Sequence, residues 1–187
     1  MNMDKKYEKL INIAMWIALG LFVLRCLLSW NSIVVGTTAY ELFGYAGEAI
    51  GLAVILTALY ERKLWRYNPF ETTPKLHTKY IGTFKSTYDN ITREGTLNIK
   101  QTLSTVSIIF STEESKSRSL SASIDEIMGE KQLTYCYSNQ PKSEFRHRSE
   151  IHYGTAMLTI LQNGKLEGQY YTDRNTTGDM VFIAEKK

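Results

Sequence analysis

Two uninterrupted apolar runs in the first 60 residues constrain this 187-residue chain more than any other feature. From Leu10 to Trp30 it reads LINIAMWIALGLFVLRCLLSW, and from Leu42 to Tyr60 it reads LFGYAGEAIGLAVILTALY. At about 1.5 Å of rise per residue, either run as a helix spans the roughly 30 Å hydrocarbon core of a bilayer. The connection NSIVVGTTAYE holds no Lys or Arg, whereas Lys5, Lys6 and Lys9 precede the first run and Arg62, Lys63 and Arg66 follow the second. That bias predicts a transmembrane hairpin over residues 1–60 with both termini in the cytoplasm. A cleaved signal peptide ending near Thr37-Thr38-Ala39 is the competing reading. Its apolar core would be only about 7–15 residues long with the cleavage site close behind, and a second span would remain in any case.

Each span contains one ionisable side chain, Arg25 near the exit of the first and Glu48 near the entry of the second. In an antiparallel hairpin they lie at similar depth, so a contact between them, within one hairpin or between neighbouring chains, offsets the cost of charge in hydrocarbon. The alternative is that Arg25 snorkels to the interface. Gly47 and Gly51, like Ala14 and Ala18, are small-residue pairs at helical spacing that permit close helix packing. A pore or lesion built from two spans per chain requires several copies, so a homo-oligomer is expected with that mechanism.

After residue 60 the composition changes. Residues 61–76, ERKLWRYNPFETTPKL, read as a linker with Pro69 and Pro74 as breakers and Trp65, Tyr67 and Phe70 as headgroup-level aromatics. From residue 77 the hydrophobic period is two. Alternating runs are expected as strands at His77–Tyr88, Gly95–Thr102, Ser104–Thr112, Arg118–Met128, Lys131–Ser138, Glu150–Leu161, Lys165–Thr172 and Asp179–Glu185, with Asn163-Gly164 as a hairpin turn signal. No amphipathic helix interrupts them. The expected fold is a membrane-anchored all-β chain: two transmembrane helices, then a small eight-stranded antiparallel up-and-down β-barrel over residues 77–187, closed so that no sheet edge is left.

Alternate loops of a meander share one end of the barrel. The tight connections near Leu103, Gly129 and Asn163 fall at the end where the chain enters from the membrane, and the longer ones fall at the other. The long-loop end holds Arg93, Lys116, Lys142, Arg146, Arg148 and Arg174, a rim suited to a small anionic ligand. Alternation turns Tyr80, Gly82 and Phe84, then Leu133, Tyr135 and Tyr137, then Leu166, Gly168, Tyr170 and Thr172 inward, with inward glycines leaving room. Tyr137, Tyr153, Tyr170 and Thr172 are expected near the mouth, where rings stack on bases and hydroxyls bond their edges. The plain alternative is that these tyrosines fill the core. Likewise TDRNTTGD, Thr172 to Asp179, is either a polar turn or, through Arg174, a phosphate clamp.

The chemistry of an enzyme is missing from the sequence. It has no phosphate-binding glycine loop, HExxH, CxxC or GxSxG. His147 and His152 are spaced for neither one helix face nor a tight metal chelate, so no metal site is expected, and His77 stands apart. Asp173 and Asp179 flank a turn without an activated partner. Cys26 falls in a span and Cys136 in a strand, so they do not pair, in keeping with a reducing compartment. With 22 Lys plus Arg against 19 Asp plus Glu, the net charge of +3 is too small for a duplex DNA or RNA binder.

Two short spans, a Trp- and Pro-containing linker, the opening strand YIGTFK (Tyr80 to Lys85) and the closing GQYYTDRNTTGDM (Gly168 to Met180) together resemble the CD-NTase-associated protein 15 family. These are the two-transmembrane, β-strand-rich effectors of bacterial cyclic-oligonucleotide-based anti-phage signalling, CBASS. The resemblance runs from about Leu10 to Ile183, and Gly168 to Gly178 is its most specific piece. It implies a defence effector in the bacterial inner membrane, and the missing motifs above argue against an enzyme or a resident metal or cofactor. A cognate CD-NTase makes a cyclic dinucleotide, the barrel binds it, the protein oligomerises, and the hairpins disrupt the membrane in abortive infection. Inner-face geometry and the TDRNTTG match together give Arg174 for the phosphate, Thr172 and Thr177 for polar contacts, and Tyr137, Tyr153 and Tyr170 for base stacking. A membrane-tethered, lipocalin-like carrier or sensor of a small metabolite is the alternative, and a membrane adaptor whose barrel is packed solid is another.

Overall fold

A computed structural model describes residues 3–29, 39–147 and 149–185. The connection at residues 30–38, with Thr37-Thr38, and Arg148 lie outside the described residues. The chain divides into two compact units, one ending at Glu71 and one beginning at Thr72.

The first unit has two helices, α1 (Met3–Leu28) and α2 (Ala39–Arg62), and a short 3-10 turn at Leu64–Tyr67. Both helices are long and apolar enough to cross a membrane. Their large apolar residues, among them Trp16, Leu28, Phe43 and Val54, are exposed. A helix suits that medium because it satisfies its own backbone hydrogen bonds. Glu41 in the first turn and Arg62 in the last turn of α2 complement its dipole.

The helices meet along small residues. On α2 the contact stripe runs through Tyr45, Ala49, Ala53 and Thr57, with Ala49 and Ala53 buried, while Ala14 and Ala18 are half-buried on α1. Gly47 and Gly51 take no part in packing within the hairpin. They lie off that stripe, and a Cβ at either would meet nothing within 4 Å. Arg25 and Glu48 do meet within one hairpin, with Arg25 Nε donating to Glu48 Oε2 at 3.1 Å and the guanidinium 4.7 Å from the centre of the Tyr45 ring. Of the expected interfacial aromatics, Tyr67 and Phe70 are exposed, but Trp65 is fully buried.

The second unit is an eight-stranded closed barrel: β1 (Lys79–Ser86), β2 (Thr92–Gln101), β3 (Val106–Ser111), β4 (Ser115–Ile127), β5 (Glu130–Pro141), β6 (His152–Ile160), β7 (Leu166–Thr172) and β8 (Thr177–Ala184). Each strand pairs antiparallel with the next, and β8 closes on β1 through Tyr80↔Ala184 to Ser86↔Gly178. The alternating sequence produces this arrangement because side chains two residues apart share a face.

Three turns account for the register. Met128 and Gly129 both have positive φ and form the two-residue β4–β5 turn, which matches strand twist. The Asn163-Gly164 signal is realised differently. Gly164 N–H donates to Leu161 O and Leu161 N–H to Lys165 O, so only Gly164 takes the left-handed conformation in a longer turn. The β7–β8 loop repeats that pattern over Thr172–Thr176, with Asn175 left-handed. A bulge between Ser119 and Ser121 on β4 exchanges its inward parity, which strict alternation does not anticipate. There the Ser119 hydroxyl accepts the Ile108 N–H at 2.9 Å in place of a ladder bond.

The end of the barrel with the tight turns is packed. Tyr80, Leu97, Ile108, Leu133, Leu158, Leu166 and Phe182 are fully buried there, each contributing about 1.5–3 kcal/mol by its removal from water. Leu76 joins this layer from below, held by Gln101, whose Oε1 accepts the Leu76 N–H and whose Nε2 donates to Pro74 O. The opposite end is not filled.

Candidate ligand-binding cavity

A cavity of about 280 Å³ opens at the long-loop end of the barrel. The strands that enclose it change chemistry along their inward positions. On β5 these run Leu133, Tyr135, Tyr137, Asn139, Pro141 towards the mouth, and on β3 they run Ile108, Phe110, then Thr112 just past the strand. The floor is accordingly apolar, with Phe84, Phe110, Met180 and Tyr135, and the mid-level is polar, with Ser117, Asn139, Tyr137, Tyr170 and Thr172.

Glycines explain why eight strands bearing large aromatics leave a space. Tyr137 and Tyr170 lean over the backbones of Gly154 and Gly178 on neighbouring strands, where an added Cβ would stand 2.5 Å from each ring. Each ring thus lies against the wall, and the axis of the barrel stays open.

The mouth carries two guanidinium groups with different partners. Arg93 on β2 is clamped by Asp89 from the β1–β2 loop, Nη1 donating to Oδ1 at 3.0 Å and Nη2 to Oδ2, and Glu114 lies 3.9 Å from its Nε. The Arg93 side chain holds the Asp89 carboxyl down to about 2. Arg174 in the β7–β8 loop is exposed and donates to Ser149 Oγ at 3.4 Å, and among the described residues no carboxylate pairs with it. The rim is therefore not uniformly cationic, as the sequence suggested. Lys116, Lys142 and Arg146 are exposed away from the cavity, and Asp89 and Glu114 partly neutralise what lines it.

Burial sets the chemistry of the inner groups. Desolvation pushes the phenols of Tyr135, Tyr137 and Tyr170 up, so all three remain protonated hydroxyls at neutral pH. His152 is buried, and the loss of solvent lowers its pKa and favours the neutral ring; its Nδ1 is 2.9 Å from Glu150 O. The Thr172 hydroxyl lies 2.6 Å from the Thr176 hydroxyl.

Of the residues read from sequence, Tyr137, Tyr170, Thr172 and Arg174 are brought together on the cavity. Tyr153 and Thr177 are not. His152 is the inward residue opposite Asn139 on β5, so Tyr153 points outward and is 57% exposed. The inward series of β7 and β8 stays even-numbered through the loop, Tyr170 and Thr172 then Gly178 and Met180, so Thr176 faces the cavity and Thr177 lies outside, its backbone bonded to Thr87. Tyr135 was legible as inward but not as floor. The Asp89–Arg93 clamp was hidden because the loop brings it together.

Residues 71–183 match the family described as Cap15, cyclic dinucleotide receptor domain. The chain belongs to this family. The matched span includes every residue that lines the cavity. A relative named CD-NTase-associated protein 15, from Staphylococcus schleiferi, is 30% identical over 182 residues, covering 95% of this chain and 97% of the relative. An alignment of that extent takes in the two apolar helices as well as the barrel, so the chain has a Cap15-type receptor domain behind a pair of membrane-span-like helices.

Proposed function

We propose that this chain is a CBASS effector whose barrel binds a cyclic dinucleotide made by a cognate CD-NTase. Binding drives oligomerisation of the helical hairpins in the bacterial inner membrane, with both termini and the barrel cytoplasmic, and the assembled hairpins disrupt the bilayer in abortive infection. The barrel acts as a receptor and performs no chemistry on its ligand. One observation supports this reading most directly: a family-matched barrel holds a one-ended cavity with hydroxyls and aromatic rings in its wall and, at its mouth, Arg174, with which no carboxylate pairs among the described residues. Aromatic faces, hydroxyls and a guanidinium are what bases, sugar edges and a phosphate require.

The apolar floor of Phe84, Phe110 and Met180 favours one other ligand, a fatty acid with its carboxylate at Arg174, as in a tethered lipocalin-like carrier. Calorimetry of the full chain in lipid nanodiscs, with a panel of cyclic dinucleotides and fatty acids, separates the two. Saturable binding of a cyclic dinucleotide, followed by dye release from liposomes containing the protein, is the expected result. Binding of fatty acids alone would replace the effector with the carrier.

A further inference from the structure

The floor of the cavity contains one polar side-chain group that the fold leaves without a partner. Tyr135 is 2% exposed and lines the cavity, and its hydroxyl, itself buried, has no hydrogen-bond partner among the described residues. Buried hydroxyls in native proteins are nearly always paired, and one that is not invites a specific explanation. The same cavity is lined by the apolar side chains Phe84, Phe110 and Met180. Phe84 and Phe110 brace each other edge to face with ring centres 5.4 Å apart, and Tyr137 holds Tyr135 from above at 5.8 Å.

We propose that the Tyr135 hydroxyl is the specificity-determining contact of this receptor: one nucleobase of the ligand enters the cavity edge-first and hydrogen-bonds to it, while the other nucleotide stays at the mouth. This rests on the cyclic dinucleotide reading above. The polarity gradient fixes the direction of entry. A phosphate sent to the floor would lose its hydration against aromatic carbon, whereas at the mouth it meets Arg174, which has no carboxylate partner among the described residues. A base has the opposite needs, with apolar faces for the walls and a polar edge for one hydroxyl. Capacity limits the entry to one base. The cavity, at about 280 Å³, lies just under the roughly 300–1,000 Å³ typical of sites that enclose a drug-sized ligand, and two linked nucleotides exceed it. Sites that pair a buried hydroxyl with their ligand discriminate strongly against analogues lacking the matching group.

The test is calorimetry of the full chain in nanodiscs, wild type and Tyr135→Phe, against cyclic di-AMP, cyclic di-GMP and cyclic GMP–AMP. The tightest of these is then replaced by analogues in which one purine lacks its exocyclic group or has its N7 changed to carbon. Tyr135→Phe is expected to weaken the tightest ligand at least tenfold without lowering the melting temperature of the unliganded protein. At least one analogue is expected to bind wild type tenfold more weakly and to lose nothing further in the variant. Equal affinity of variant and wild type overturns the inference alone, as does a loss accompanied by a lower unliganded melting temperature. If the variant does not fold, the wild-type analogue series decides, and uniform affinity across it overturns the inference. No binding of any cyclic dinucleotide by wild type removes the receptor reading and this inference with it.

Discussion

Tyr137 occupies the space in which residue 154 would otherwise have a side chain: a Cβ there would stand 2.5 Å from the Tyr137 hydroxyl and 2.7 Å from Tyr171 O. Gly154→Ala therefore forces either the strand or the ring to move. The expected cost is about 1–3 kcal/mol of stability, as for other over-packed interiors, and a ring displaced into the cavity also weakens ligand binding. Denaturant unfolding and calorimetry of the same variant measure the two effects. An unchanged unfolding midpoint with unchanged affinity would show that the wall yields easily at this point.

The Asp89–Arg93 clamp makes a small part of the barrel's stability depend on pH in acid. The Asp89 carboxyl has its ordinary value of 3.8 in the unfolded chain and about 2 in the folded one. A depressed folded value contributes stability that is complete above 3.8 and is lost as pH falls towards 2. Asp89→Asn should remove that part of the melting-temperature profile between these limits and leave the rest. Because Asp89 competes with an anionic ligand for Arg93, the same variant should bind such a ligand about threefold to tenfold more tightly, with a smaller gain at high salt, where charge interactions are screened.

The outer positions supply an internal control. Arg174→Ala removes a charge-assisted contact of about 1.5–3 kcal/mol, which corresponds to roughly tenfold to hundredfold in affinity. Tyr153→Ala and Thr177→Ala, on the outside of the barrel, should change affinity less than about twofold. Comparable losses from all three would mean that the ligand is held on the outer wall.

Within the hairpin, Glu48 is the partner of Arg25, and Gly51 faces away from α1. Glu48→Ala should weaken liposome lysis without altering ligand affinity, because it removes the carboxylate that neutralises Arg25. Gly51→Leu should leave the hairpin intact, since a side chain there meets nothing in its own chain, and should weaken lysis only through contacts between copies. Full lysis by both variants would exclude these residues from the assembly.

The barrel was readable because strand periodicity is a local property, and each of the eight strands was anticipated to within a few residues of its ends. What escaped was local. The bulge at Ser119 to Ser121 exchanges the faces of β4, whereas Thr177 falls outside because the even-numbered inward series of β7 runs unbroken into Gly178 and Met180 of β8. Tyr153 was misplaced because His152, one position earlier, begins the inward series of β6. In the helices, the Arg25–Glu48 contact followed from depth. Gly47 and Gly51 show that a small-residue spacing does not by itself say which face a neighbour takes, as the neighbouring Ala49 and Ala53 face α1 instead.

Gln101 fastens Pro74 and Leu76 beneath a packed layer of leucines and aromatics, at the pole opposite the cavity. A molecule seated in the cavity therefore never touches the strand of chain that leads back to the helices. News of its arrival has two routes. It travels as a shift in the barrel wall itself, or it is displayed at the mouth as a changed surface that another molecule can read. The barrel is filled with side chains in one half and open at its rim, so a bound molecule presents itself to the outside at the rim.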